Sequence, residues 1–293
     1  MTRNLRLGTR GSPLARAQAG IVASALARIG GPIELVPIVT DGDVRQDDSS
    51  PGEGAFVGSI EAALRARQID VAVHSAKDLP TDRDIDPDLV VGAYLVRADP
   101  RDALVTRDGG ARLATLPRNA TVGTDSPRRA GFILAQRPDL RVRPIAGNVD
   151  SRLRRLDEGA VTALVLAVAG HVRLGRGERI DEPLDPARVP PAAGQGALAV
   201  QVRRADRTIG RLVGQLDDAD TRTAVETERA ILAAVGGGCQ APVGALASLD
   251  AERLSIVAAR VEPDGSRRQA LERSGARADG YRIAWAMAAE LVR

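Results

Sequence analysis

Short runs of apolar and β-branched residues alternate along this chain with longer stretches in which apolar residues recur every three or four positions. The longer stretches predict amphipathic helices, among them residues 13–28, 57–67 and 149–158. The short runs predict strands over residues 35–40, 70–75, 90–96, 120–124, 141–147, 162–170 and 198–203. Several of these runs are apolar on both faces, which is typical of buried parallel strands. The pattern therefore predicts an α/β fold with covered sheets.

A different block begins near residue 219. Its pattern predicts a helix, a strand and a second helix, starting with a long helix over residues 220–235. A glycine-rich run follows that helix directly. Since 293 residues are too many for one ordinary core, we expect two or three domains.

The glycine-rich run carries Cys239, the only cysteine of the chain. A lone thiol makes no internal disulfide and fills no structural zinc site by itself, so its sulfur is either reactive or inert. Three glycines precede it and remove the Cβ atoms that would keep a bulky group from the backbone. This favours an attachment point for a covalent group; the alternative is a small buried residue in a tight turn.

Two strand–turn–helix starts repeat along the chain, Gly8-Thr9-Arg10-Gly11-Ser12-Pro13 and Gly123-Thr124-Asp125-Ser126-Pro127. In both, serine suits the N-cap and proline the first helical position. Helix N-termini at the carboxyl ends of strands bind anions. Arginines stand beside each start, and so the repeat predicts two facing anion-binding lobes rather than two ordinary caps.

A third segment, Val73-His74-Ser75-Ala76-Lys77-Asp78-Leu79-Pro80, follows a predicted strand. It holds the only lysine of the chain beside an aspartate. Asp78 is either a solvated loop charge or a carboxylate facing an arginine-lined cleft. We interpret His74 as structural, and with two histidines and one cysteine in all we expect no metal site.

The charge balance narrows the range of partners. The 41 basic residues against 38 acidic ones give a formal charge of +3, and all basic residues but Lys77 are arginines suited to binding carboxylates or phosphates. Nucleic acid is not expected, because the charges are interspersed and aromatics make up only 2%. No apolar run reaches the length of a membrane span, and the first residues lack a signal-peptide pattern. We therefore expect a cytoplasmic protein without membrane partners.

Taken together, these segments resemble one known family, the porphobilinogen deaminases, also called hydroxymethylbilane synthases. The resemblance follows the family's order from residue 5 to about residue 250 and thins beyond it. It is carried by Gly8-Thr9-Arg10 with Ser12-Pro13-Leu14-Ala15, His74-Ser75-Ala76-Lys77-Asp78-Leu79-Pro80, Asp99-Pro100-Arg101-Asp102-Ala103, Ser126-Pro127-Arg128-Arg129, Gly147-Asn148-Val149 with Arg152, Ala167-Val168-Ala169-Gly170, Gln195-Gly196-Ala197 and Gly238-Cys239-Gln240-Ala241-Pro242-Val243-Gly244.

This resemblance implies two periplasmic-binding-protein-like α/β lobes of type II with mixed sheets, plus a small α+β C-terminal domain. The first lobe would combine residues 1–97 and 198–217. The second would span residues 98–197, and the C-terminal domain, with the cysteine loop, residues 218–293. The resemblance also suggests a monomer.

The implied activity is a transferase of tetrapyrrole and haem biosynthesis. A dipyrromethane cofactor, joined to Cys239 by a thioether, would prime the addition of four porphobilinogen units with loss of ammonia. Hydrolysis would then release hydroxymethylbilane. Asp78 would be the catalytic carboxylate beside the pyrrole nitrogens.

Further roles are implied at positions that match the family's motifs. Residues implied to bind the cofactor, besides Cys239, are Lys77, Ser126, Arg128 and Arg129. Residues implied to bind substrate are Arg10, Ser12, Phe56, Thr124, Arg152, Arg173 and Gln195. The segment 44–56, with Phe56 at its end, resembles the family's mobile active-site loop.

Two positions depart from the family's usual residues. Ala146 stands where members usually have arginine, and Asp125 where they usually have serine. Asp125 is expected to pair with Arg128 and Arg129 and to compete with substrate carboxylates. Two alternatives therefore stay open: a cytoplasmic anion- or solute-binding module, and a relative whose turnover Asp125 and Ala146 impair. A binding module would need neither Cys239 nor Asp78.

Overall fold

The computed structural model describes residues 4–40, 57–81, 86–236, 238 and 241–292. Cys239, and the segment 44–56 with Phe56, lie outside the described residues. The rest divides into two compact units, one within Met1–Ala98 and Ala197–Arg222 and the other within Asp99–Gly196 and Thr223–Arg293.

The strands and helices alternate over much of the chain. In chain order the strands are β1 Leu5–Arg10, β2 Ile33–Ile38, β3 Val71–Ser75, β4 Leu89–Tyr94, β5 Asp102–Thr106, β6 Thr121–Gly123, β7 Arg141–Arg143, β8 Ala163–Ala167, β9 Glu182–Pro183, β10 Leu198–Arg203, β11 Val243–Asp250, β12 Arg253–Arg260 and β13 Gln269–Ala276. The helices are α1 Pro13–Gly30, α2 Gly58–Arg65, α3 Pro127–Gln136, α4 Val149–Asp157, α5 Val168–Arg173, α6 Arg207–Gly214, α7 Ala219–Val235 and α8 Gly280–Leu291.

The first unit is built on a mixed sheet with strand order β2-β1-β3-β10-β4. β1 pairs in parallel with β2 and β3, whereas β10 runs antiparallel to β3 and β4. Helix α1 presents Ala19, Val22 and Leu26 to the core beneath β1, where Leu7 is fully buried. Because β1 and β3 are parallel neighbours, the residues that follow them reach the same edge of the sheet.

The second unit holds another mixed sheet, with order β7-β6-β8-β5-β9. β6 is parallel to β7 and β8, and β5 is antiparallel to β8 and β9. The same unit contains the antiparallel sheet β11-β12-β13, against which α8 packs Ile283, Ala284 and Met287. The prediction of an α/β fold with mixed sheets and a small C-terminal α+β block is confirmed.

Several predicted elements differ from the observed ones in extent. Strand β10 has the predicted bounds, but the strand expected over 162–170 ends at Ala167, where helix α5 begins. The strand expected over 141–147 stops at Arg143. Strands β5 and β9 were not predicted, and the C-terminal block has three strands between its helices rather than one. The division into three domains stays a prediction, since the second sheet and the C-terminal block share a compact unit.

The C-terminal block is anchored to the segment that precedes β10. Glu228 on α7 is fully buried, and its carboxylate accepts hydrogen bonds from the backbone N–H groups of Gly194 (2.7 Å) and Ala247 (2.8 Å). Pro191 accepts a hydrogen bond from Ala245 N–H at 2.9 Å. At Gly244 a Cβ atom would collide with the Pro190 carbonyl, so glycine is required for this close approach.

None of the helices within the described part of the chain has the length and hydropathy needed to cross a membrane.

The Glu228 anchor is testable by substitution. Glu228→Ala leaves two buried backbone donors unsatisfied, so we expect the free energy of unfolding to fall by roughly 3 kcal/mol in urea titrations. The exposed Glu272 on β13 provides the control, and Glu272→Ala should change stability by less than about 0.5 kcal/mol. Equal losses in the two variants would contradict the anchoring role.

Candidate active site

Polar residues of the first unit gather at the carboxyl ends of β1 and β3. Ser12 is the N-cap of α1, as predicted, and its Oγ accepts a hydrogen bond from Ala15 N–H at 3.3 Å. After β3 the chain forms a short 3₁₀ turn over Ala76–Asp78. Gln18 on α1 donates to Ser75 Oγ at 2.9 Å and joins the two segments.

Four predicted site residues, Arg10, Ser12, Lys77 and Asp78, therefore lie at one edge of this sheet. All four are half-buried. Asp78 is thus not a fully solvated loop charge, and it stands beside Lys77 in a turn set by the end of β3. This placement puts a carboxylate and cationic donors within one small region of the first unit.

His74, in the same segment, has a structural role. It is buried, and its Nε2 lies 3.2 Å from Oε1 of Gln201, whose Nε2 donates to Glu61 at 2.8 Å. Burial lowers the pKa of His74 to about 4, although the hydrogen bond to Gln201 opposes this shift. Burial also raises the pKa of Glu61. His74 is therefore neutral near pH 7 and donates its Nε2 proton to Gln201, which agrees with the structural interpretation.

The second unit contains a buried ionic cluster around Asp102, the first residue of β5. Its Oδ1 accepts hydrogen bonds from Arg129 at 3.0 and 2.8 Å and from Gln195 at 2.9 Å. Its Oδ2 lies 2.8 Å from Arg128 Nη1, which donates a hydrogen bond to the Pro190 carbonyl at 2.6 Å. The exposed fractions are 0% for Asp102, 4% for Arg128 and 7% for Arg129.

The charges of this cluster stabilise one another. Burial by itself raises the pKa of Asp102, but Arg128 and Arg129 outweigh that effect and hold it well below its usual value. Burial likewise lowers the pKa of Arg128, and Asp102 opposes the shift. Arg128 and Arg129 thus already have an internal carboxylate in this structure, and Gln195, predicted to contact substrate, is 1% exposed beside it.

The expected pairing of Asp125 is wrong. Asp125 does not form an ion pair with Arg128 or Arg129; its Oδ2 lies 3.0 Å from Arg152 Nη2. The reason is that Asp102 already occupies the two guanidiniums on α3. Asp125, in the turn before α3, pairs instead with Arg152 on α4. Asn148 is the N-cap of α4 and accepts a hydrogen bond from Ser151 N–H at 2.9 Å.

Two predicted hydroxyl groups shape the start of α3. Ser126 is its N-cap, as predicted, and accepts a hydrogen bond from Arg129 N–H at 3.4 Å. Thr124 is buried, and its Oγ1 accepts from Ser126 N–H at 3.2 Å. The second strand–turn–helix start of the sequence therefore has the predicted local structure.

Arg173, at the end of α5, is a cation of a different kind. Its Nη2 donates to the Gly196 carbonyl at 2.6 Å, and no carboxylate pairs with it among the described residues. Burial lowers its pKa to about 10, so the group stays charged at neutral pH. A partly buried guanidinium without a counter-ion favours an anionic ligand.

Sequence reasoning missed the central role of Asp102 and the position of Arg155. Asp102 begins the buried strand Asp-Ala-Leu-Val-Thr. An acidic residue at the start of an apolar run was the sequence feature that could have indicated a buried, paired carboxylate. Arg155 on α4 donates from Nη1 to the Ala146 carbonyl at 3.2 Å. Among the residues that the structure describes, no group of three or more His, Cys, Asp or Glu is placed to hold a metal ion.

Comparison with known families agrees with the sequence resemblance. Residues 5–211 match the model described as porphobilinogen deaminase, dipyromethane cofactor binding domain. Residues 222–291 match the model of the porphobilinogen deaminase C-terminal domain. The chain belongs to the porphobilinogen deaminase family. It is accordingly a transferase of tetrapyrrole biosynthesis, a hydroxymethylbilane synthase, with a dipyrromethane cofactor.

Curated members of the porphobilinogen deaminase family are similar over nearly the whole chain. The porphobilinogen deaminase of Acidothermus cellulolyticus is 49% identical over 99% of this chain and 88% of its own length. That of Roseiflexus castenholzii is 44% identical over 100% of this chain and 97% of its own.

Among solved structures, the VFT2 domain of Bordetella pertussis BvgS is similar at 17% identity and a TM-score of 0.44. That similarity covers 78% of this chain and 89% of that one. The fold assignment rests on the strand orders given above.

The burial of His74 predicts a pH dependence of stability. The unfolded chain protonates His74 near its ordinary pKa of 6.5, whereas the folded chain does so near pH 4. The stabilisation is therefore present above pH 6.5 and is lost as the pH falls toward 4. Between pH 7 and pH 5 this costs about 2 kcal/mol of unfolding free energy.

Replacing the imidazole checks this assignment. In urea titrations at pH 7 and pH 5, His74→Gln should lose about 2 kcal/mol less between the two pH values than the unsubstituted chain. Other titrating groups contribute to both proteins and cancel in the difference. Identical losses in the two proteins would show that His74 is not a buried neutral group.

Proposed function

We propose that the chain joins four porphobilinogen units head to tail onto a dipyrromethane primer held by Cys239, releasing ammonia and then hydroxymethylbilane. The observation that carries this proposal is the excess of guanidinium groups over carboxylates in the second unit. Asp102 pairs with Arg128 and Arg129, and Asp125 pairs with Arg152, whereas Arg173 donates to the Gly196 carbonyl.

This excess suits a polycarboxylate ligand. Four guanidinium groups and two carboxylates leave two positive charges after internal pairing, and Arg173 donates its hydrogen bond to a backbone carbonyl. Each pyrrole ring of the primer and the substrate carries an acetate and a propionate, so negative charge accumulates as the chain of rings lengthens. Guanidinium groups bind such carboxylates bidentately. The donor set therefore fits the dipyrromethane. Cys239 would attach it and Ser126 and Lys77 would donate to its carboxylates, while Arg128 and Arg129, held by Asp102, would contribute positive charge.

Within this proposal Asp78 has the chemical role. Loss of ammonia from porphobilinogen leaves an electron-poor, cationic pyrrole, and a carboxylate beside its nitrogen stabilises that charge and exchanges the N–H proton. The primer, when bound, supplies the nucleophilic pyrrole carbon. Arg10 and Ser12, at the same sheet edge as Asp78, are suited to bind the substrate's carboxylates.

The other predicted substrate contacts differ in the hydrogen bonds that they already form within the protein. Thr124 and Ser126 accept backbone N–H bonds, and each hydroxyl proton remains a donor for a carboxylate. Gln195 and Asp102 orient Arg129, so we assign Gln195 an indirect role. Phe56 lies outside the described residues and keeps its predicted role as a substrate contact.

A binding module without turnover is less well supported, because the family match includes the segment that carries Cys239. The monomeric state, the cytoplasmic location and the absence of nucleic-acid and membrane partners remain predictions from the sequence.

The covalent primer predicts a mass difference. Intact-mass measurement of the purified chain should show an excess equal to two pyrrole units over the mass of the sequence. Cys239→Ser should remove that excess, because a hydroxyl at this position forms no thioether. An unmodified mass after expression in a host that makes porphobilinogen would contradict the attachment.

The role of Asp78 predicts a loss of rate rather than of fold. Asp78→Asn keeps the shape but removes the charge, and we expect the turnover number to fall roughly 10²- to 10³-fold, as when one electrostatic contact is removed from an active site. The exposed Asp88 in the same unit is the control, and Asp88→Asn should retain full activity. A porphobilinogen-consumption assay in which the two variants behave alike would rule out the assigned role.

A further inference from the structure

We infer that Asp125 is a resident carboxylate that occupies the guanidinium of Arg152 and that a substrate carboxylate must displace. Asp125 would then set the affinity of this site for porphobilinogen. The inference rests on the proposed function and adds to it a residue that determines substrate affinity.

The geometry of the pair supports this role. Arg152 Nη2 lies 3.0 Å from Asp125 Oδ2, and Arg152 Nε donates to the Gly147 carbonyl at 2.8 Å. Gly147 has a φ of 106°, a backbone conformation that favours glycine. The guanidinium is therefore held by the chain itself at two points, and the carboxylate fills the position that an external anion would take.

The surroundings of Arg152 call for an anion at that position. Burial lowers its pKa, Asp125 opposes that shift, and Arg129 and Arg155 lower the pKa further. Without Asp125, Arg152 would be a mostly buried cation near two others. Such an arrangement attracts an anionic ligand strongly, and an internal carboxylate reduces that attraction.

Ala146 leaves the competition between Asp125 and a substrate carboxylate for Arg152 without a further positive charge at position 146. Ala146 contributes no charge, and the guanidinium that contacts its carbonyl belongs to Arg155, three residues beyond Arg152 on α4. An incoming carboxylate at this end of α4 therefore meets Arg152 in a state that is already neutralised.

The pair is exchangeable because it is incompletely buried. The side chains of Arg152 and Asp125 are 19% and 15% exposed, whereas Asp102 is 0% exposed beneath Arg128 and Arg129. Asp125 is thus able to turn away into water when a ligand carboxylate replaces it. Losing one charge-assisted hydrogen bond in this exchange corresponds to roughly a tenfold weaker affinity.

Two neutral substitutions test the inference. Asp125→Asn and Asp125→Ser should each lower KM for porphobilinogen about tenfold, with kcat changed less than about twofold. Asp157→Asn is the matched control, because Asp157 pairs with Arg179 at 2.8 Å at the other end of the same helix. This control removes the same charge and should leave KM unchanged.

A binding measurement separates affinity from turnover. Titration calorimetry of porphobilinogen into the Cys239→Ser chain, which cannot hold the primer, should show about tenfold tighter binding when Asp125→Asn is added. The gain should shrink at high salt, since it is electrostatic.

The outcomes distinguish this inference from the proposed function. If the unsubstituted chain turns over porphobilinogen but neither KM nor the dissociation constant responds to Asp125→Asn, the inference is wrong and the function stands. A lower melting temperature with unchanged affinity would likewise overturn it, because the pair would then be purely structural. If the chain shows no turnover, the proposed function fails, and the titration alone decides whether Asp125 limits porphobilinogen binding.

Discussion

The carboxylate of Asp102 is the interaction on which the second unit depends. It starts β5, it neutralises two guanidiniums of α3, and it accepts a hydrogen bond from Gln195 in the segment before β10. One buried charge therefore joins a strand, a helix and a loop that are distant in sequence. Removing it would leave two cations buried together, which is strongly unfavourable in a medium of low dielectric. The same contacts fix the directions of Arg128 and Arg129, so one buried carboxylate both joins these elements and positions the two guanidiniums.

The sequence predicted the local structure well, because local structure depends on neighbouring residues. The alternation of apolar runs gave the order of most elements, and Ser12 and Ser126 are the N-caps that their Ser-Pro pairs predicted. Strand β5 was missed because it is short and begins with a buried aspartate, a residue that periodicity counts as polar. The α5 helix was read as an extension of β8, since Ala-Val-Ala-Gly is apolar in either conformation.

Ion pairing could not be predicted, because it depends on tertiary contacts among many equivalent groups. The chain has 40 arginines, and spacing along the sequence does not reveal which carboxylate each one meets. Asp125 stands three residues before Arg128, yet it pairs with Arg152, 27 positions away, because Asp102 has already taken the nearer cations. The family resemblance located the arginines but not their internal partners. Only the fold distinguishes the fully buried carboxylate of Asp102 from the partly exposed pair of Asp125 and Arg152.

The arginines of the second unit therefore differ in how deeply their internal partners are buried. Asp102 is fully buried, and its contacts fix the directions of Arg128 and Arg129 in this structure. Arg173 donates to a carbonyl, and no carboxylate pairs with it among the described residues, which suits the anion-binding role proposed for it. Arg152 is intermediate between Arg129 and Arg173, since its partner Asp125 is a carboxylate that is partly exposed to water. A ligand whose negative charge grows with each added ring would fill the ready cation first and displace the exchangeable carboxylate afterwards. The order in which the site accepts charge would then follow from how deeply each internal carboxylate is buried.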